Sequence, residues 1–280
     1  MTPSSPVVRR RRLGLELRAV REAKGLKGDE TARRLKWAAS KLSRIERGHI
    51  APTLADVVKL LDLYGVGDQS RRDELTVLTK EARKKGWWQL YSDIPYSTYI
   101  GLEAEASEML TYQHVVPGLF QTEKYAEVIN KSTVPGMTEE ALEQRVEVRI
   151  ARQAILTRPS PMEVRAVLDE SALRRMVGGP VVMREQLEQL LKLTELPSVL
   201  MQVIPFSAGG HPGTLVGPFV ILRYQDPADP AVLYVEGNAD PYLDREGEVE
   251  RFTKTFDVLR ASALSVDHTR ALIRKLVTEL

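Results

Sequence analysis

The sequence predicts a multidomain fold, with an all-α N-terminal domain of short helices followed by an α+β C-terminal domain whose small sheet is flanked by helices. Three observations predict it. Apolar residues recur at helical spacing between residues 13 and 64, in short pieces punctuated by glycine. The texture changes at Gly86-Trp87-Trp88, where an aromatic stretch containing Pro95 begins. Beyond residue 160 come short β-branched runs bounded by Pro or Gly. At 280 residues the chain is also longer than one ordinary domain.

The elements follow in order. Residues 1–8 are small, polar and proline-bearing, and 9–12 are all arginine, so 1–12 reads as a disordered basic arm. Leu13, Leu17 and Val20 share a helical face, and Gly25 stops that helix. A second helix over 29–36 turns Ala32 and Leu35 inward. A third over 39–47 turns Leu42 and Ile45 inward and ends at Gly48. Thr53, with Asp56 three residues on, caps a fourth helix holding Leu54, Val57, Leu61 and Tyr64. Residues 70–85 read as a fifth, carrying Leu75 and Leu78. The composition shift sets the domain boundary within 80–95, giving domains at 13–85 and 86–280.

Residues 87–100 do not read as helix, whereas 102–112, 122–130 and the charged 138–156 do. Strands are expected at 162–168, 199–204, 219–224 and 232–235, with a helix over 182–193 between the first two. Two helices close the chain. One carries Val249, Phe252, Phe256 and Leu259 as a stripe. The other starts after Ser265 and carries Leu272 and Leu276. Each stripe serves as core or as a dimer or partner surface.

Composition narrows the function. Apolar residues at 43% and charged residues at 28% are ordinary for a globular protein. No stretch of about 18 consecutive apolar residues occurs, which excludes a membrane span. The basic run at 9–12 is followed by no uninterrupted apolar segment, so it does not read as a secretory signal and a cytoplasmic location is expected. With no cysteine, disulfides, thiolate metal sites and cysteine nucleophiles are excluded. The net charge of +2 divides into +10 over 1–85 and −8 over 86–280. A basic head on an acidic body suits a polyanionic partner.

Catalysis finds little support. The chain has four histidines, His49, His114, His211 and His268, and none lies three or four residues from another. GxSxG, P-loop and GxGxxG motifs are missing from the sequence. Asp169-Glu170 at a strand end and the histidine in Gly209-Gly210-His211-Pro212-Gly213 are the nearest to an acid/base site, but the glycines and Pro212 fit a tight turn between strands. No catalytic residue, metal site or cofactor is expected.

The informative spacing lies in the head. Only a few residues around 36–38 separate the second and third helices, as in a helix-turn-helix. That unit lays its second helix across the sugar–phosphate backbone and its third into the major groove. Ala32, Leu35, Leu42 and Ile45 fill the junction such a unit needs. The outer side of the third helix must be small or polar and free of negative charge, as Ala39, Ser40, Lys41 and Arg44 are. Lys27 and Arg47 complete the expected DNA-binding set. Glu46 reads as a partner within the domain, because phosphates repel a carboxylate. Gly28 and the paired Ala38 and Ala39 leave few hydrogen-bonding groups for base readout, so specificity leans on Ser40, Lys41 and Arg44, with a thymine-methyl contact open to Ala39.

Residues 13–64 resemble the Xre-type, phage-repressor-like helix-turn-helix family. The resemblance rests on Leu13…Leu17-Arg18…Arg21, Ala32…Leu35, the run Ser40-Lys41-Leu42-Ser43-Arg44-Ile45-Glu46-Arg47-Gly48, and Pro52-Thr53-Leu54. Farther on, Trp87-Trp88, Val116-Pro117-Gly118-Leu119-Phe120-Gln121-Thr122, Arg149…Arg152-Gln153, Leu168-Asp169-Glu170, Val203-Ile204-Pro205-Phe206 and Gly217-Pro218-Phe219 resemble the large C-terminal domain of actinobacterial Xre regulators of the WhiJ type. The resemblance implies a DNA-binding transcription regulator of the repressor kind that binds a double-stranded operator as a homodimer. It further implies a small partner protein encoded nearby, in developmental or antitoxin-like regulation. Two alternatives stay open: a regulator that senses a small molecule, and an enzyme with a tethered DNA-binding domain.

Overall fold

A computed structural model describes residues 5–90, 96–235, 242–243 and 246–280. The chain divides into two compact units, Met1–Glu105 and Ala106–Leu280. The first is built from α1 (Pro6–Ala23), α2 (Gly28–Arg34), α3 (Ala39–Glu46), α4 (Leu54–Leu63), α5 (Gln69–Ala82) and α6 (Ser97–Glu103), with a 3-10 turn at Trp87–Leu90. Its core joins Leu13 and Leu17 of α1, Ala32 of α2, Leu42 and Ile45 of α3, and Val57, Leu60 and Leu61 of α4. Val20 and Leu35 pack against this core from its edge, whereas Leu54, expected inside, is 39% exposed. The Thr53 hydroxyl accepts from Asp56 N and the Asp56 carboxylate accepts from Thr53 N, a reciprocal cap that fixes the start of α4.

The expected arm is helix instead. Ser5 caps α1, Pro6 takes its first turn, and Val7 and Val8 are buried. Arg10 Nε donates to Gly48 O at 2.9 Å, and Arg9 pairs with Glu105 at 3.6 Å. The burial has a cause distant in sequence: Trp88 and α6 close over Val7. A Cβ on Gly101 would lie 2.3 Å from Val7 Cγ2. The first compact unit therefore reaches past the expected boundary, and 97–100, read as non-helical, lie in α6. Residues 1–4 and 91–95 of the sequence readings lie outside the described residues.

The second unit holds β1 (Glu108–Gln113), α7 (Glu123–Thr133), α8 (Glu139–Arg152), β2 (Glu163–Asp169), α9 (Ser171–Arg174), α10 (Gly179–Leu193), β3 (Val199–Ile204), α11 (Gly213–Val216), β4 (Phe219–Arg223), β5 (Val232–Val235), β6 (Tyr242–Leu243), α12 (Glu246–Ser262) and α13 (Val266–Glu279). The sheet order is β3-β2-β1-β4-β5-β6. β1 runs parallel to β2 and β2 to β3, while β4, β5 and β6 pair antiparallel. One face packs Leu110, Tyr112, Val167, Phe219, Ile221 and Leu233 against Phe252, Phe256 and Leu259 of α12. The stripe on α12 is thus core, as are Ile273 and Leu276 of α13.

Two readings of this unit are corrected. Within 102–112, residues 108–112 form β1, a central strand paired on both sides rather than a helix. Its neighbours bury both faces, which erases the polar–apolar alternation that marks a strand. The segment 209–213 is no simple turn. Residues 209–212 link a 3-10 turn at Phe206–Ala208 to the short helix α11, which begins at Gly213.

Lys36 links α2 to α3 with φ of 55°, a left-handed conformation that disfavours a side chain by about 1–2 kcal/mol. Lys36→Gly should raise the unfolding free energy by about 0.5–1 kcal/mol, since part of the relief is offset by the freedom glycine gains when unfolded. Urea denaturation measures it, and a lower stability would contradict the assigned turn.

Candidate nucleic-acid interface

The third helix is fixed from behind. Arg21 of α1 grips Glu46 of α3 with both arms, Nε to Oε1 at 2.6 Å and Nη2 to Oε2 at 2.8 Å, and both side chains are 9% exposed. Its remaining nitrogen, Nη1, donates to Leu26 O at 2.7 Å and so ties in the loop before α2. The hydrogen bonds that Arg21 donates to Glu46 raise the Arg21 pKa against the opposing effect of burial. Backbones meet closely at the same place. A Cβ on Gly14 would lie 2.5 Å from the carbonyl oxygens of Ile45 and Glu46, and one on Gly48 2.7 Å from Arg11 Cα.

With that side buried, α3 turns its other side outward. Ala39, Ser40, Arg44 and Arg47 are exposed and Ser43 is half-buried. At 3.6 residues per turn, Ala39, Ser43, Arg47, Ser40 and Arg44 form one continuous arc. At one margin of the arc lies a groove of about 280 Å³, lined by Ala39, Leu42, Ser43 and Glu46 of α3, Arg47 just beyond it, Arg18 of α1, and Lys27, Gly28 and Asp29 at the start of α2, so cations and carboxylates share it. Lys27 precedes the first turn of α2, which itself carries Asp29 and Glu30.

The expected residues are thereby sorted. Lys27, Ala39 and Arg47 meet in the groove, while Ser40 and Arg44 occupy the outer part of the arc. Arg47 leans on Ser43, with Nε to Oγ at 3.1 Å. Arg44 and Lys27 have no side-chain partner among the described residues. Lys41 departs from the expectation that it projects outward beside Arg44. Its ammonium lies 2.7 Å from Asp56 Oδ1 and 4.0 Å above the Trp37 ring. Burial pushes the Asp56 carboxyl up, but hydrogen bonds from Lys41 and Thr53 outweigh it and hold its pKa below the ordinary value. Ser43 and Arg18, which the expected set did not include, also line this groove. Helical phase along the motif could have found Ser43, but Arg18 comes from another helix.

Residues 12–75 match a family described as Helix-turn-helix domain, and residues 96–275 match Domain of unknown function (DUF5753). The chain belongs to the DUF5753 family. Its helix-turn-helix domain points to DNA binding and to a transcription regulator rather than an enzyme, and the pairing of the two domains fits an Xre-like regulator. Searches of curated proteins and of solved structures gave no match. Among the described residues no helix is long and apolar enough to cross a membrane, and no group of three or more His, Asp or Glu side chains is placed to hold a metal ion.

Glu46→Gln should cost about 3–5 kcal/mol in urea denaturation, because it leaves the buried Arg21 charge without its counter-ion. A loss below about 1 kcal/mol, the scale of an exposed pair, would contradict the buried clamp.

Proposed function

We propose that this member of the DUF5753 family is a cytoplasmic, sequence-specific transcriptional regulator of the WhiJ type that reads an operator through α3. The observation that carries the reading is Arg44, an exposed guanidinium without a side-chain partner among the described residues, one turn beyond Ser40 on a helix clamped by Arg21 and Glu46. Planar guanidinium groups read guanine edges with two hydrogen bonds in the major groove. Ser40 and Ala39 stand at the leading turn, where a hydroxyl and a methyl group reach base edges. Lys27 and Arg47, at the groove margins, suit phosphate contacts that set position rather than sequence. Lys41 acts mainly by joining α3 to Asp56 of α4.

The net charge of +10 over residues 1–85 supports an electrostatic contribution from the head. A single helix-turn-helix contacts few base pairs, which favours a homodimer with two half-sites about one helical turn apart. We assign the dimer contact and the binding of a small partner protein to the second unit. That assignment is supported by the resemblance of 87–280 to the WhiJ-type domain.

Sites selected by the full chain from random duplex DNA test the reading. Arg44→Ala should cost about 1–3 kcal/mol on the selected site and relax preference at one base position. Lys27→Ala should weaken all sequences alike and flatten the salt dependence. Unchanged affinity and preference after Arg44→Ala, measured over a set of site variants, would remove α3 from the readout.

A further inference from the structure

In the second unit, β1, β2 and β3 step outward as parallel neighbours, and the chain then returns to lay β4 antiparallel on the other side of β1. Where sheet growth reverses in this way, open sheets leave a crevice outside the carboxyl ends of their strands, and ligands bind there. The returning segment, 205–218, brings a histidine to those ends. His211 meets Tyr112 of β1 edge-on, with ring centroids 5.9 Å apart, and its Nε2 is 3.7 Å from Asp169 Oδ2 at the end of β2. His114, two residues beyond Tyr112 and so on the same side of the strand, places Nε2 2.9 Å from the Tyr112 hydroxyl.

Three features separate this cluster from ordinary core. The His211 side chain is 5% exposed, yet its Nδ1 has no hydrogen-bond partner among the described residues, and 3.7 Å is too long for a hydrogen bond from Nε2. Asp169 accepts from Ser171 N through Oδ1, but among the described residues no lysine or arginine pairs with it. The adjacent Glu170, by contrast, is held by Arg174 at 2.6 Å and by Phe206 N at 2.7 Å. Finally, the covering segment is built to turn at its ends. Gly209 and Gly217 have φ of 69° and 68°, Leu215 between them is 92% exposed, and Val216 packs against the core. The segment is also seated by His211 and by Gly213, where a Cβ would lie 2.3 Å from Tyr112 Cζ.

We propose that Asp169, Tyr112 and His114 form a recognition site for a protonated amine bearing an apolar body, with 209–217 as its cover and His211 as the group the amine displaces. A carboxylate without a cationic partner, beside an aromatic ring, offers an ammonium both a charge-assisted hydrogen bond and a cation–π contact. Burial, and secondarily the Asp169 charge, raises the Tyr112 pKa, so the phenol stays neutral beside the cation. Anions meet the Asp169 charge, and neutral isosteres leave it uncompensated. Displaced into water, the His211 imidazole gains the partner its Nδ1 lacks. The site stands independently of how the first unit is used.

Calorimetric titration and thermal denaturation of the full chain test it with benzylamine, phenethylamine and cyclohexylmethylamine, against benzyl alcohol and benzoate. At least one amine should bind and raise Tm, and the alcohol and benzoate should do neither. Asp169→Asn keeps an oxygen for Ser171 N and should weaken amine binding about tenfold or more. His211→Ala removes the competing group and should tighten binding about tenfold. The proposal is overturned if no amine binds either the wild type or His211→Ala, or if benzyl alcohol binds as well as benzylamine. Unchanged amine affinity in Asp169→Asn also overturns it. Should that variant not fold, equal amine affinity of His211→Ala and wild type overturns it.

Discussion

The first unit depends on one buried ion pair. Arg21 and Glu46 join the end of α1 to the end of α3, and the third arm of Arg21 captures Leu26 O in the intervening chain. Such pairs rarely raise stability over a well-packed apolar substitute, because desolvation offsets much of the attraction. Their geometry is the useful part. A two-armed contact sets the rotation of α3 about its own axis, and that rotation decides which side faces out. The backbone approaches at Gly14 and Gly48 fix its distance from α1. Ser40, Arg44 and Arg47 are exposed because Leu42, Ile45 and Glu46 are held.

The two units present different chemistry. The first offers cations on a rigid helical surface, with Lys41 drawn out of that set by Asp56 and Trp37. The second sets Tyr112, His114, Asp169 and His211 around the reversal of a mixed sheet. Its edge strand β3 is covered: Leu264 N donates to Val203 O, and Gln202 Nε2 donates to Leu264 O at 2.8 Å. This blunts one of the edges through which exposed sheets associate.

Much of the first unit was legible in the sequence because its signals are local. The reciprocal cap of Thr53 and Asp56 and the glycine after α3 act within a few residues of the elements they bound. The motif around α3 also named most of the exposed arc. What was not legible depends on partners far along the chain. Val7 looks like part of a loose tail until Gly101, beside Trp88, packs against it. Lys41 looks like a reader until Asp56 holds it. β1 carries helix-favouring residues and is made a strand by β2 and β4 on either side. The meeting of His211 with Asp169 likewise follows from sheet topology, which no spacing within the sequence encodes.

The central claim is that α3 enters the major groove by the turn that carries Ser40. The chain contains no cysteine, so Ser40→Cys gives a single attachment point for a DNA-cleaving chelate. Val77, 58% exposed on α5, supplies the control position as Val77→Cys. On a duplex selected by the full chain, the reagent at position 40 should cut at a few discrete base pairs within the site, while that at position 77 should cut weakly or not at all. Strong cleavage from position 77 with none from position 40 would contradict the account.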